Sequence, residues 1–321
     1  MKDFRQDQQY VDMKAQFDEY YEQKLKRIFY DQEKVRHRYF SSFVVLILLA
    51  LCFYPAVLYY VFTHFQLAAG EHDYTGYVLS SSGVLIMVLC GPMFLYKSRV
   101  KPEIMPKFAE FFGTFSYDYG GTISDRVLYM SKLFGSYNRN VGDDYFKGQY
   151  DGVNISIAEE KLKNVVRTSQ GKKEHTVFRG ICIMLEMNKN FFGQTVVLHD
   201  KGIFNALNFM KGLQTVRLED SKFEKYFEVY SDNQIEARYL LTTAFMERIL
   251  KLKELFGGRT VQFSFYENQL LIAIKTRQNM FEANSFFCSN LNKQKIEKVF
   301  DQFYMVFSII NILKLNQRIG M

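Results

Sequence analysis

The sequence predicts an α+β protein, in which a two-helix transmembrane hairpin is followed by one mainly antiparallel α+β domain in the cytoplasm. The first observation is that residues 39–67 and 75–96 contain no Lys, Arg, Asp or Glu, although charge is dense elsewhere in the 321-residue chain. The second is a series of short alternating apolar runs joined by tight-turn residues, which is typical of antiparallel strands. The third is that strand and helix patterns do not alternate in the regular order of a parallel sheet.

Both uncharged stretches are long enough to cross a bilayer. Residues 43–62 and 76–96 are apolar runs of 20 and 21 residues, and a helix of about 20 residues spans the roughly 30 Å hydrocarbon core. The run 80–83 (SSSG) supplies small residues that permit close helix contact and interhelical hydrogen bonds. Two core helices of a soluble fold are the alternative, and two uncharged runs of this length disfavour it. A cleaved signal peptide is disfavoured because the first run begins only at Phe43.

The flanking charges predict the orientation of the hairpin. Basic residues precede the first span and follow the second: Lys24, Lys26, Arg27, Lys34, Arg36 and Arg38, then Lys97, Arg99, Lys101 and Lys107. The loop between the spans has no Lys or Arg and carries Glu71, His72 and Asp73. The positive-inside rule therefore places both termini in the cytoplasm. We expect a cytoplasmic amphipathic helix in 1–38, the transmembrane hairpin in 39–98 and a cytoplasmic domain in 99–321.

The composition of the chain limits the classes of partner and bound group that the sequence predicts. The net charge is +7, and residues 97–321 hold the surplus, with 32 Lys and Arg against 24 Asp and Glu. Because the flanks of a membrane hairpin account for a basic balance, nucleic acid is not an expected partner. The four cysteines are scattered without metal-ligand spacing, so we expect no disulfide framework, no metal site and no cofactor.

The segment before the first span predicts an amphipathic helix. Met13, Phe17, Tyr20, Tyr21 and Leu25 recur at helical spacing among charged residues. Two interpretations remain. The helix could lie on the membrane or bind a partner, or it could pack on the chain's own domain, and the second is favoured.

The C-terminal part contains hairpin signals. Asp151-Gly152 predicts a tight turn before an alternating strand, and Glu267-Asn268 predicts a turn between strands at 261–265 and 270–274. Further strands are predicted at Phe178–Met187 and Thr195–Leu198, while the polar run 167–175 predicts a loop.

Three helices are predicted in the same domain. One covers Ile104–Phe112, after Pro102. A long helix begins at a capping box formed by Ser231 and Gln234 and ends at Gly257-Gly258. The last carries apolar residues from Ile296 to Leu313 on one face.

Two segments resemble a known family. Residues 177–197 read VFRGICIMLEMNKNFFGQTVV, and residues 216–248 read VRLEDSKFEKYFEVYSDNQIEARYLLTTAFMER. These segments resemble the bacterial family called Domain of Unknown Function 3137, in which paired transmembrane segments precede a soluble domain of this kind. The resemblance covers most of the chain, although Thr243 stands where proline is expected. It implies a bacterial inner-membrane protein, and it implies no activity.

The search for catalytic chemistry yields weak candidates. Phosphate-binding glycine loops and metalloprotease histidine pairs are absent from the sequence. Glu219 and Asp220 could act as general acid and base, or they could simply solvate an edge or start a short helix. Glu236 and Arg238 could pair with a charge on another element, for which Arg179 is a candidate; Arg179 could equally contact an anionic ligand.

These observations favour a membrane-tethered cytoplasmic binding or scaffolding module, because an anchor is present and a catalytic constellation is missing. The alternative is a membrane-anchored enzyme with an unrecognised active site, so whether the protein is an enzyme stays undecided. A transporter is disfavoured because the spans carry no charge. The expected partners are the lipid bilayer and either a protein or a small ligand on the cytoplasmic domain, and a homo-oligomer remains an open alternative.

Overall fold

The computed structural model describes residues 4–68, 74–169, 171–187, 190–199, 212–257 and 259–315. The chain forms two compact units, each built from separate segments. The described residues within 1–20, 105–282 and 297–321 form one, called here the sheet unit. Those within 21–104 and 283–296 form the other, called the helical unit. The loop residues Glu71, His72 and Asp73 lie outside the described residues, as do Asn188, Lys189 and Gly258.

Two long helices dominate the helical unit. A short 3-10 turn (Phe4–Gln6), helix α1 (Gln8–Tyr20) and a π-helical stretch (Tyr21–Leu25) precede α2 (Lys26–Ala68), and α3 covers Tyr74–Phe112. Among the described residues, two helical segments are long and apolar enough to cross a membrane, Gln8–Thr63 and Val78–Phe112. In their most apolar windows, 0% and 6% of the residues are buried, so these apolar side chains face outward.

The serine cluster joins the two helices, as the small-residue pattern predicts. The Tyr54 hydroxyl on α2 lies 2.5 Å from Ser82 Oγ and 3.3 Å from Ser81 Oγ on α3. Such hydrogen bonds between apolar helices fix their rotation relative to one another.

The sheet unit contains, within its described residues, one sheet of nine strands. The strands are β1 (Thr114–Tyr119), β2 (Arg139–Tyr150), β3 (Val153–Thr168), β4 (Gly171–Glu186), β5 (Thr195–His199), β6 (Gln214–Val216), β7 (Phe227–Ser231), β8 (Val261–Tyr266) and β9 (Gln269–Lys275). Their order is β1-β2-β3-β4-β9-β8-β5-β7-β6, and every neighbouring pair is antiparallel. The predicted α+β class with an antiparallel sheet is confirmed.

The remaining helices are α4 (Asp125–Met130), α5 (Ser221–Glu224), α6 (Gln234–Leu240), α7 (Thr243–Leu255) and α8 (Lys293–Leu313). Helix α8 confirms the predicted last helix. Consecutive buried residues in β8 and β9 show that both faces of the central strands are covered.

The two predicted tight turns are present. Asp151 and Gly152 join β2 to β3 with φ values of 48° and 77°. Glu267 and Asn268 join β8 to β9 with φ values of 47° and 58°. Two successive residues with positive φ give a turn whose twist matches the strands, so local chemistry sets both registers.

The polar run 167–175 is not a loop, and that prediction is wrong. Strands β3 and β4 continue through it as a two-stranded ribbon, in which Thr168 pairs with Gly171. Charged pairs across the ribbon hold it: Glu174 lies 2.6 Å from Lys163 and 3.0 Å from Lys172. The ribbon is polar because its residues are mostly exposed.

The predicted long helix is two helices, and the predicted cap is also wrong. Asn233, and not Ser231, caps α6, because its side chain accepts from the Glu236 N–H. Thr242 then starts α7 by accepting from the Phe245 N–H. Thr243 is the first residue of α7, a position at which proline is common, so the departure at Thr243 fits the same helix start.

The helix predicted to begin after Pro102 is not separate. Helix α3 continues through Pro102 to Phe112. A proline inside a helix removes one hydrogen bond but does not end the helix where packing compensates for that loss. Here Val100, Ile104 and Met105, which flank the proline, are all buried.

Helix α1 packs within the sheet unit, which agrees with the favoured interpretation of the N-terminal segment. Tyr10 donates to Asp301 of α8 at 2.6 Å, and the rings of Phe17 and Phe300 lie 4.6 Å apart. Further aromatic rings extend this core along α8 toward β2, where Phe303 contacts Phe146 at 5.2 Å. Stacked aromatic rings bury large apolar areas, so α8 is the centre of this core.

Candidate anion-binding site

A basic cavity of about 640 Å³ lies at one end of the central strands of the sheet unit. The residues that line it come from the two positions before β8, the end of β9, the segment that follows β9, and α8. They are Arg259, Thr260, Lys275, Thr276, Arg277, Gln278, Asn279, Met280, Lys298 and Gln302. The cavity is within the range of volumes of small-ligand sites, but its lining is polar.

Pairing between strands brings together the basic residues before β8 and those at the end of β9. The Lys275 N–H donates to Thr260 O at 2.9 Å, next to Arg259. The Thr276 N–H donates to Arg179 O of β4 at 3.0 Å. The antiparallel hairpin therefore places Arg259 and Arg277 at the same end of the paired strands β8 and β9, although they are not adjacent in the sequence.

The segment after β9 is held by side chains. The Met280 N–H donates to Glu159 Oε2 at 3.0 Å, and the Phe281 N–H donates to Gln302 Oε1 at 2.8 Å. Thr276 Oγ1 donates to Gln278 O at 3.1 Å. These bonds fix the backbone of the cavity wall, so the basic side chains project from a formed surface.

Four cationic side chains surround the cavity: Arg259, Lys275, Arg277 and Lys298. All four are exposed, and none of them has a carboxylate partner among the described residues. The described lining includes no Asp or Glu. Like charges that converge without a counter-charge raise the local positive potential, which favours an anionic ligand.

Arg179, one of the residues predicted from the sequence, borders this cavity. Its guanidinium donates to the amide oxygen of Asn279, which lines the cavity. The Asn279 side chain in turn donates to Asp143 Oδ2 at 2.6 Å. Arg179 thus positions the cavity wall through Asn279.

The predicted pair Glu219 and Asp220 lies elsewhere and has structural contacts. Asp220 caps α5 by accepting from the N–H groups of Lys222 and Phe223, at 2.9 and 3.1 Å. Glu219 is exposed beside it. These contacts match the helix-start interpretation of the two acids.

Glu236 and Arg238 do not pair with Arg179. Glu236 on α6 accepts from the backbone N–H groups of Phe192 and Gly193, at 2.9 and 2.6 Å. Arg238 is exposed and contacts Gln234 of its own helix. The structure therefore brings Arg179 to the basic cavity and leaves Glu219, Asp220, Glu236 and Arg238 away from it.

Sequence reasoning missed Arg259, Lys275, Arg277 and Lys298. The one signal in the sequence is the basic run KTR at 275–277, which directly follows a buried strand. Loop residues that follow a strand often form binding sites at the ends of the strands. Lys298 gives no such signal, because it is an exposed lysine on an amphipathic helix.

An acidic cluster lies in the same unit. Ligand atoms of Asp143, Asp144 and Glu282 lie within 4.8 Å of one another, which is a spacing that a cation could bridge. Each of the three also takes part in other interactions. The cluster alone therefore assigns no metal.

A buried carboxyl stands apart from both clusters. Glu160 on β3 is fully buried, and its Oε1 accepts from the Ile123 N–H at 2.6 Å. Burial raises the pKa of this carboxyl to about 7, and the charge of Asp125 adds to the increase. The hydrogen bond from the Ile123 N–H opposes this increase, and so does the nearby Asn140 side chain. A carboxyl of this kind is protonated over much of the acidic range.

Comparison with known proteins gives one family. The crystal structure of the mycobacterial trehalose monomycolate transport factor A, TtfA, aligns with 67% of this chain and 97% of its own, at 12% identity and a TM-score of 0.36. That likeness is too low to carry a functional argument. A search of curated proteins finds no match. The model of the family described as "Protein of unknown function (DUF3137)" matches residues 176–315. This match confirms the resemblance seen in the sequence, and both resembling segments, 177–197 and 216–248, lie within the matched residues.

Proposed function

We propose that the protein is a membrane-tethered binding module, and that its basic cavity holds a phosphate-bearing anionic ligand. The observation that carries the proposal is the convergence of Arg259, Lys275, Arg277 and Lys298 around one cavity without a carboxylate in its described lining. Arg and Lys are the side chains that bind phosphate oxygens, Arg through paired N–H groups and Lys as a point charge.

The membrane part of the proposal rests on α2 and α3. Their apolar windows face outward, with Leu51 69% and Met87 78% exposed, and water would disfavour such a surface. A bilayer would cover it. The basic flanks of both spans support two crossings with both termini in the cytoplasm. The family resemblance is the ground for assigning the inner (cytoplasmic) membrane of a bacterium.

Packing within the sheet unit supports the same topology. Helix α1 precedes the first span, and α8 follows the second, yet Arg5 contacts Asp301 at 2.7 Å and Phe17 contacts Phe300. Segments that pack together must lie on the same side of a membrane. An even number of crossings between them satisfies that condition.

The chemistry of the cavity favours a multiply charged ligand. Four cations offer several charge-assisted hydrogen bonds, and Met280 is the one residue of the described lining whose side chain is neither polar nor charged. A soluble phosphate compound and the headgroup of an anionic lipid share this chemistry. Both sources are therefore included in the test.

The test measures binding to the full chain in nanodiscs of phosphatidylcholine. Pyrophosphate and dihexanoyl phosphatidic acid serve as probes for the soluble and the lipid source, with affinity determined by calorimetry. The double variant Arg259→Gln/Lys298→Gln removes two cavity cations. Arg217→Gln/Lys222→Gln is the matched control, because it changes the net charge equally at exposed positions outside the cavity.

We expect the cavity variant to bind at least about 10-fold more weakly than the native chain, since each charge-assisted hydrogen bond contributes roughly 1.5–3 kcal/mol. The control should bind within about 2-fold of the native chain, because exposed distant charges are screened. Tighter binding of the phosphatidic acid would assign a lipid headgroup. No saturable binding of either probe, or an equal loss in the control, would refute the anion site.

A further inference from the structure

A loop in the helical unit is held by buried polar contacts. In residues 285–290, the Asn290 N–H donates to Glu33 Oε2 at 2.9 Å, and Tyr96 donates its hydroxyl proton to Asn290 Oδ1 at 2.8 Å. The Ser285 N–H donates to the same Asn290 oxygen at 3.2 Å. Helices α2 and α3 therefore both hold this loop.

An ion pair strengthens the attachment. Arg36 lies 2.7 Å from Glu33, and the two side chains are 9% and 12% exposed. Arg36 also donates to the Phe286 carbonyl at 3.2 Å. Because the charges are largely removed from water and hydrogen-bonded, breaking either contact would leave a buried polar group without its partner. The loop is thus fixed in position.

Two aromatic residues at the tip of the loop have different surroundings. Phe286 is buried, with its ring 5.4 Å from Phe43 and 5.6 Å from Tyr96. Phe287 touches Phe43 at 6.0 Å but is 62% exposed. Through Phe43, the exposed Phe287 ring adjoins the outward-facing apolar surface of α2, so a phase that covers that surface would also cover the ring.

The contacts of these rings locate the loop along the helices. Phe43 is the first residue of the apolar run on α2, and Tyr96 is the last residue of the apolar run on α3. Both therefore mark the same boundary between the apolar and the charged parts of the helices. Aromatic side chains concentrate at this level of membrane proteins, between headgroups and acyl chains.

We infer that residues 285–288 form an interfacial anchor, whose Phe287 ring inserts into the cytoplasmic leaflet of the bilayer beside the two spans. This inference rests on the proposed membrane topology. It adds a third point of contact with the lipid, directly before α8, in a segment that has no apolar run long enough to be recognised as a membrane element.

The absence of tryptophan from the chain permits a clean test, because a single introduced Trp is then the sole indole. Two positions on helix α2 provide reference depths. Leu51 lies about 12 Å inside the boundary set by Phe43, and Tyr30, which is 51% exposed, lies about 20 Å outside it, at 1.5 Å per residue. The variants are Phe287→Trp, Leu51→Trp and Tyr30→Trp in the full chain, each in nanodiscs.

The measurement is quenching of Trp fluorescence by lipids that carry bromine either near the headgroups or near the bilayer centre. We expect Phe287→Trp to lose more fluorescence with the shallow bromines, at the depth of interfacial side chains, about 5–10 Å into the headgroup and acyl boundary. Leu51→Trp should lose more with the deep bromines. Tyr30→Trp should be quenched by iodide in water and not by either lipid.

The outcomes separate the two proposals. If Leu51→Trp is quenched by lipid while Phe287→Trp behaves like Tyr30→Trp, the interfacial anchor is refuted and the proposed membrane spans are supported. If Leu51→Trp escapes both lipids, the membrane topology itself is refuted. A second measurement tests the anchor if Phe287→Trp fails to fold. It follows the rate at which maleimide labels the exposed Cys288 in a Cys52→Ala/Cys90→Ala background. We expect Phe287→Asp to raise that rate. An unchanged rate would count against insertion of the loop.

Discussion

The substitution Glu160→Gln tests whether the sheet unit contains a carboxyl that is protonated near neutral pH. Glu160 is fully buried, and only its Oε1 has a hydrogen-bond donor, the Ile123 N–H. Its Oε2 and the Oδ1 of Asn140 are both buried without a hydrogen-bond partner. A proton on Oε2 would let the carboxyl donate to Asn140, and a glutamine amide would supply the same donor permanently.

The expected magnitude follows from the pKa, which burial raises from 4.5 to about 7. Such a shift corresponds to about 3 kcal/mol of folding free energy. Because the folded state holds the proton more tightly than the unfolded state, this contribution is fully present below pH 4.5. It is lost as the pH rises through 7, where folding must bury a charged carboxylate.

The assay is hydrogen exchange of the β3 and β4 amides, measured by mass spectrometry on the full chain in nanodiscs at pH 5 and pH 8. We expect Glu160→Gln to resemble the native chain at pH 5. At pH 8 its amides should exchange more slowly, by up to about 100-fold, after correction for intrinsic rates. Glu186→Gln is the control, because Glu186 is an exposed carboxylate on β4. Equal protection of both chains at pH 8, or equal destabilisation by Glu160→Gln at both pH values, would refute the reasoning.

Two further substitutions test the helices. Thr242→Ala removes the side chain that caps α7 and should lower stability by about 1 kcal/mol; Thr243→Ala, one residue later and exposed, should change it little, and equal effects would contradict the assigned helix break. Phe303→Ala removes a fully buried ring from the aromatic core and should cost about 3–5 kcal/mol in denaturant unfolding. Tyr239→Ala, at an exposed ring, should cost much less.

Local chemistry explains why parts of the fold follow directly from the sequence. Asp151-Gly152 adopts the positive φ values of its hairpin with little strain, and the apolar residues of α8 recur at helical spacing. The polar ribbon at 167–175 could not be predicted in this way. Its strands are held by backbone pairing and by the contacts of Glu174, and neither leaves an alternating apolar pattern in the sequence.

The break between α6 and α7 could not be predicted from the sequence for a different reason. Apolar spacing continues from Ile235 to Leu250 as in one helix, but Thr242 offers its hydroxyl to the Phe245 N–H. Ser and Thr side chains compete for backbone donors, and periodicity alone does not show whether that competition starts a new helix.

The candidate site depended on tertiary structure. Arg179 was identified because an arginine in an apolar strand is unusual, and it does border the cavity. Arg259, Arg277 and Lys298 converge only through strand pairing and the position of α8, so no spacing along the chain relates them. The two uncharged apolar runs, in contrast, are local features of composition.

The packing of α1 against α8 has a consequence for biosynthesis. Helix α1 is synthesised before α8, which completes the aromatic face of α1, with Tyr10 and Phe17, through Asp301 and Phe300. At about 5–20 residues per second, roughly 15–60 s separate the synthesis of the two. During that interval helix α1 still lacks its partner. A nascent chain stalled before residue 293 would therefore expose those rings.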